Sequence, residues 1–330
     1  MLNNLLETKT TEFSNLEQAL YLIKMKETRQ IIVQSSLLKV TEDGFLCSKI
    51  HTDGELNARL TDFALDLLHG ILKIPKSYAK RLEPELHAFN INELLSKRIS
   101  PLTVVLEWDL AGVSDEQYPH VVAILPFQPI AIPHELILDY LIKKGFSGRL
   151  FLAPGYMEAR VSDRKEAVDF LPNDAFSVEA FILNSQLGLR KWPFEVSTFL
   201  TRLACANGMI AKRNILSSKI ITQVANSGDF AKILDKHLSS AINLLSLGFK
   251  NAIEKMASRE VSPEQRQELL RKVKQIAGAN FLDGLFEKAV TLYDHLNEIT
   301  ALANRLEDRE RQRRLWILGG EIMEEQIESN

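Results

Sequence analysis

Short alternating runs of hydrophobic and polar residues fill the first half of this chain, and helical spacing takes over in the last third. "IIVQSSLLKV" is rich in β-branched residues and is followed by "EDGFLCSKI", so Asp43-Gly44 reads as a hairpin turn between two strands. "LTDFALDLLHGILKIP" opens on Thr61 as an N-cap, lines up Ala64, Leu67, Leu68 and Ile71 on one helical face, and ends at Pro75. "PLTVVLEWDL" and "HVVAILPF" predict two paired strands joined by the polar loop "AGVSDEQYP". "PHELILDYLIKKG" predicts a short helix stopped by Gly145.

The middle of the chain is harder to read. "EAFILNS" is a strand pattern, whereas "PFEVSTFLTRLACANG" fits either period. Helical spacing puts Val196, Phe199, Leu200 and Leu203 on one side, with Pro193 at the entrance and Asn207-Gly208 at a left-handed exit, so a helix is expected. From about Ser227 everything reads as helix. Ile233, Leu234, His237, Leu238, Ala241, Leu245 and Gly248 form one long amphipathic stripe, and "SPEQRQELLRKVKQI" begins with a Ser-Pro entrance. Leu285, Ala289, Leu292, Leu296, Ile299, Ala303 and Leu306 alternate steps of four and three, a heptad seam. Such a seam packs either inside a helical bundle or between subunits. The expected fold class is α+β: a mixed domain with mostly antiparallel strands over 1–226, then a helical bundle over 227–330 packed against it.

Composition narrows the function classes. A formal net charge of −3 excludes a protein that coats nucleic acid with its whole surface, so any such binding rests on a local patch. The two cysteines, Cys47 and Cys205, no visible signal peptide and no apolar run of membrane-spanning length point to a soluble cytoplasmic protein with free thiols.

One stretch departs from the average. From Leu183 to Gly228 the cations are Arg190, Lys191, Arg202, Lys212, Arg213 and Lys219, and the only acid is Glu195, which leaves six minus one, or +5. Phosphates need cations and exposed bases need aromatic faces; Arg190, Lys191 and Trp192 supply both in three consecutive residues. The expectation is a nucleic-acid-binding surface made by Arg190, Lys191, Trp192, Arg202, Lys212, Arg213 and Lys219, with single-stranded DNA as one candidate partner and DNA and RNA both open.

The same stretch resembles the phage/plasmid-like protein family, a bacterial family carried on prophages, phages and plasmids. "LNSQLGLRKWPFEVSTFLTRLACANGMI" looks like that family's Asn-Ser-acid-X-Gly element followed by Arg-X-X-Cys-X-Asn-Gly-Met, matched here by Asn184, Ser185, Gly188, Arg202, Cys205, Asn207, Gly208 and Met209. "LYDHLNEITALANRLEDRERQRRLWILGGEIM" is similar to its closing helices through Asn297, Thr300, Ala303, Gly319 and Gly320, and "LTDFALDLLHGILKIPKSYAKRL" to its early helix. Gln186 stands where the family has an acid, and "LPFQPI" replaces a Ser-Asp-X-Tyr strand end. The resemblance implies a mobile genetic element, and a role in replication or recombination would follow; it implies no reaction.

Other chemistry is sparse. Arg202 falls three residues before Cys205, yet "LACA" is apolar and suits a structural thiol. Gly208 suggests a backbone position needing positive φ. The seven histidines are scattered without metal-ligand spacing, with His69 and His237 on apolar helical faces. Asp109, Asp115, Glu116 and His120 cluster around one loop, where polar residues are expected anyway. "EDRERQRRLW" pairs Glu307 with Arg311 and Glu310 with Arg314 on a solvated helix face. No cofactor, metal or catalytic residue is expected, and the reading is non-enzymatic. The alternative is a protein–protein interaction factor for defence or host takeover that self-associates through Leu285, Leu292, Leu296 and Ile299.

Overall fold

The computed structural model describes residues 11–50, 54–109, 118–129, 132–153, 155–162, 168–172, 174–188, 194–203, 207–216, 230–242 and 247–328. Strands and helices are numbered along the chain. The larger sheet runs β1 (Thr11–Phe13), β8 (Ser147–Ala153), β9 (Tyr156–Ser162), β11 (Asp174–Asn184), β12 (Phe194–Arg202) and β13 (Asn207–Leu216), with β10 (Val168–Leu171) paired to β11. All of its pairs are antiparallel. The smaller sheet runs β2 (Lys26–Gln34), β6 (Pro101–Asp109), β7 (His120–Leu125), β5 (Gly54–Leu60), β4 (Phe45–Ile50) and β3 (Leu38–Val40), and β5 lies parallel to β7. Fold class α+β is what the chain adopts, and its C-terminal part is helical.

Local chemistry sets many boundaries where the sequence puts them. Gly44, at φ +80°, turns β3 into β4. Thr61 caps α2 (Asp62–Leu72) by accepting from the Ala64 amide, and the helix exits through Lys73 in the left-handed region two residues before Pro75. β6 and β7 pair as expected. α3 (Lys76–Ala79) and α4 (Pro84–Lys97) follow α2, and α2 and α4 contribute to the core of the smaller sheet. α5 (His134–Lys143) ends at Gly145, φ +79°.

The larger sheet is sandwiched. On one face α1 (Leu16–Lys24), α5 and α6 (Phe230–Ile242) pack Leu16, Leu138, Leu141, Phe230 and Leu234 against Met157, Ala180, Ile182 and Val196. The other face is covered by α7 (Leu247–Ser258), α8 (Pro263–Ala277), α9 (Leu292–Arg305) and α10 (Arg309–Glu328). There Leu296, Ile299, Trp316 and Met323 meet Phe181, Leu183, Phe199 and Met209. The single stripe expected from Ile233 to Gly248 is therefore two helices on opposite faces, and the C-terminal core is completed by strands of the first 226 residues. Ser262 and Gln265 close a capping box at the start of α8.

Residues 194–202 correct the sequence reading. They form strand β12, not a helix, flanked by β11 and β13 and covered by helices on both faces. Every residue from Phe194 to Leu200 is buried, so neither face carries a polar stripe to reveal the period. Gly208 has no positive φ; it is the second residue of β13, where a Cβ would lie 2.5 Å from Phe199 Cε1. It is glycine to make room for an aromatic ring.

Candidate nucleic-acid interface

Strand β12 organises the residues singled out by charge and motif, because its two ends lie about 27 Å apart at a strand rise of about 3.4 Å per residue. At its start, the pair Asn184↔Phe194 closes the β11–β12 hairpin. Asn184 is buried and its Nδ2 donates to the Ile132 carbonyl at 2.7 Å and to His134 Nδ1 at 2.8 Å. That bond leaves the His134 proton on Nε2, and burial lowers the pKa of this histidine to about 3, so it is neutral. Ser185 accepts from the Gly188 amide at 2.9 Å, and Gly188 sits at φ +62°. Asn184, Ser185 and Gly188 thus build the turn from which the Arg-Lys-Trp triplet departs. Asn184 Oδ1 and Ser185 Oγ are buried with no hydrogen-bond partner among the described residues.

The cations divide between the two ends. Arg190, Lys191 and Trp192, like Lys219, lie outside the described residues. Lys212 and Arg213 stand on β13, the edge strand among the described residues, at the register step between Thr198↔Ala211 and Val196↔Asn214. Since Leu216 pairs with Phe194, the later part of β13 returns towards the hairpin that carries the triplet.

Arg202 belongs to the opposite end and is not a surface cation. Its Nε donates to Asp174 Oδ1 at 2.6 Å, and its guanidinium carbon lies 5.5 Å from the Tyr293 ring centre. Tyr293 donates to the other Asp174 oxygen in a short bond, and burial followed by that contact raises the tyrosine pKa. Asn207 donates to the Asn297 carbonyl at 3.2 Å and accepts from Asn304 at 3.3 Å. A Cβ on Gly319 would stand 3.1 Å from Leu296, 3.2 Å from Thr300 and 3.4 Å from Met209, so this glycine lets α10 approach α9 and β13. Arg202, Asn207, Gly208, Met209, Asn297, Thr300 and Gly319 consequently share one structural junction. Cys205 lies outside the described residues.

The lone acid of the basic stretch is also internal. Glu195 is fully buried, accepts from Ser197 at 2.8 Å and meets Arg313 at 3.5 Å. The run at 307–316 is therefore not simply a solvated face: Arg313 is buried between Glu195 and Glu310, while Arg311 turns to Asp308 at 3.1 Å. Asp174 and Tyr293 were not singled out in the sequence, because the pairs they form span 28 and 119 residues, and Arg313, which the sequence offered as part of a basic groove, is buried against Glu195 instead.

The heptad seam is consumed inside the chain. Leu292, Leu296, Ile299, Ala303 and Leu306 are buried in the C-terminal core, and Leu285 and Ala289 are partly buried against it, ahead of the start of α9. A seam packed on its own sheet and helices is spent inside the chain. His69 is buried and bonds His87 through the two Nε2 atoms at 2.7 Å, whereas His237 is only half-buried. Asp115 and Glu116 fall outside the described residues; Asp109 ends β6 and His120 begins β7. Cys47 is a free, half-buried thiol whose pKa is raised by burial and then by Glu55. Among the described residues no group of three or more His, Cys, Asp and Glu is arranged to hold a metal, and no helix is long and apolar enough to cross a membrane. In comparisons with known proteins, no family model, curated protein or solved structure matches the chain.

Proposed function

We propose that this protein binds nucleic acid, with single-stranded DNA as the leading partner, through the β11–β12 hairpin and the adjoining edge strand β13. The observation that carries the reading is a subtraction. Arg202 is paired with Asp174 and Glu195 is buried against Arg313, so both leave the surface charge account. What remains between Gly188 and Gly228 is Arg190, Lys191, Lys212, Arg213 and Lys219 with no further acid. The antiparallel register brings Lys212 and Arg213 to the half of the sheet that carries the hairpin. Cations of this kind neutralise phosphates, and Trp192 offers a face on which a base stacks. Arg202, part of the expected surface, has no place in it.

A role in a mobile element rests on the motif resemblance alone, and no matching family model supports it. The self-association reading loses its contact surface with the burial of Leu292, Leu296 and Ile299. Fluorescence anisotropy with single- and double-stranded oligonucleotides tests the proposal. Binding is expected to weaken linearly in log affinity against log salt, because each neutralised phosphate releases counterions. No binding, or binding indifferent to salt, contradicts it.

A further inference from the structure

Beneath the first turns of α10 the larger sheet carries charge where apolar residues would be expected. Arg160 on β9 projects from the row that pairs it with Arg149 on β8 and Phe181 on β11. Its guanidinium carbon is 4.2 Å from the Phe199 ring centre and 4.1 Å from that of Trp316. Those two rings stand at 89° with centres 5.2 Å apart, so they form a corner that fixes the guanidinium. Gly148 precedes Arg149, and a Cβ there would lie 2.8 Å from the Arg160 carbonyl carbon, so the two strands approach closely at this point. Arg309, the first residue of α10, stacks on Phe151 of β8 at 3.5 Å.

Some donors of this layer find no acceptor among the described residues. Arg160 Nε, Arg313 Nε and Trp316 Nε1 are buried N–H groups without a hydrogen-bond partner among the described residues. Leaving such donors unmade is costly, so three in one layer call for an acceptor. The acids nearby are largely engaged. Glu195 and Glu310 meet Arg313, Asp308 meets Arg311, and Glu179 takes hydrogen bonds from Thr201 and Ser177. Burial pushes the Glu179 carboxyl up, which weakens it further as a counter-charge. Burial lowers the Arg160 pKa to about 10, with Arg309 and Arg149 adding to the fall and Glu158 and Glu179 opposing it, and the guanidinium still holds its proton at neutral pH. Against these three stand Glu158, buried beside them, and Glu179; Glu12, opposite Phe151 on β1, is exposed. Arg149 faces solvent and Arg309 and Arg160 are half-buried, which gives a ligand a way in.

We propose that Arg149, Arg160 and Arg309 form an oxyanion site that takes a phosphoryl group where the first turn of α10 crosses β8 and β9. Guanidinium forks match tetrahedral oxyanions in geometry and charge, and the aromatic corner holds one fork ready. The site is on the helix-covered face and does not depend on the hairpin surface.

Thermal unfolding of the full chain in inorganic pyrophosphate, against sodium chloride at equal ionic strength, tests it. Near saturation the wild type is expected to gain roughly 2–4 °C. The R149S/R309S double variant removes two accessible cations without opening the core and is expected to lose that gain while unfolding normally in chloride. R160K, which keeps the charge but not the planar fork, is expected to lose most of it. No gain in the wild type, or an equal gain in the double variant, overturns the proposal. A short single-stranded oligonucleotide then identifies the source of the phosphoryl group. If R149S/R309S also weakens oligonucleotide binding, the group belongs to a nucleic-acid backbone; if only the pyrophosphate response disappears, it belongs to a small phosphate ligand. Because pyrophosphate has no base to stack, failure of the hairpin reading leaves the first arm intact.

Discussion

The two ends of β12 contrast in how they treat positive charge. At the Arg202 end the cation is held by a buried carboxylate, that carboxylate also accepts from Tyr293, and an asparagine network completes the junction. At the Phe194 end a neutral histidine and a buried asparagine shape a turn, and the cations that follow have no acid in their own segment once Glu195 is buried. Charge that is matched and buried serves folding, whereas charge left unmatched by its segment is available to a partner. Four perturbations separate the ends.

The largest effect is expected from Asp174→Ala. It removes the carboxylate that accepts from the partly buried Arg202 and from the Tyr293 hydroxyl, and should lower unfolding free energy by about 3–5 kcal/mol. Denaturant titration measures this, and oligonucleotide affinity of the folded fraction should not change. Gly208→Ala forces a Cβ into the Phe199 ring and should cost about 1–3 kcal/mol in the same measurement. Acid acts on the other end. His134 is held at about 3, below its ordinary 6.5, so its contribution to stability is present above pH 6.5 and is lost as pH falls towards 3. Over that window the unfolded chain binds a proton that the folded chain refuses, at about 1.4 kcal/mol per pH unit. His69 and His87, whose pKa values are lowered mainly by burial, add to the loss in the same direction. His134→Gln should flatten the acid limb of a stability–pH curve. The smallest effect on stability, within about 0.5 kcal/mol, is expected when Arg190, Lys191, Lys212 and Arg213 are changed together to Ser, because the proposal assigns them to a partner rather than to the core and substitutions of that kind cost little.

The same contrast explains which parts of the fold the sequence disclosed. Thr61, Gly44, Gly145 and the Ser262–Gln265 box act within four residues of themselves, so their turns and caps were readable. β12 was not, because a strand buried on both faces loses the alternation that marks strands, and Pro193 and Asn207-Gly208 imitated helix ends. The seam at 285–306 was visible as a period, but a period does not say what covers it; here the cover is the chain's own sheet and helices. The candidate site shows the same limit. A count of charges along 183–228 registers Arg202 and Glu195 as neighbours of the triplet, whereas Asp174 and Arg313 reach them across 28 and 118 residues. Pairing of that kind is a property of the tertiary structure. The Arg160 corner was equally hidden, since Phe199 and Trp316 lie far from it in sequence and meet it only when α10 lies on the sheet.

The most direct measurement is the salt dependence of single-stranded DNA affinity in three proteins: wild type, the R190S/K191S/K212S/R213S variant and R202S. With a slope of about −0.7 per neutralised phosphate, loss of four contacts should flatten the log–log plot by roughly 3 units in the quadruple variant and leave it unchanged in R202S. A slope that stays steep in the quadruple variant, or that flattens as much in R202S, contradicts the assignment of binding to the hairpin end of β12.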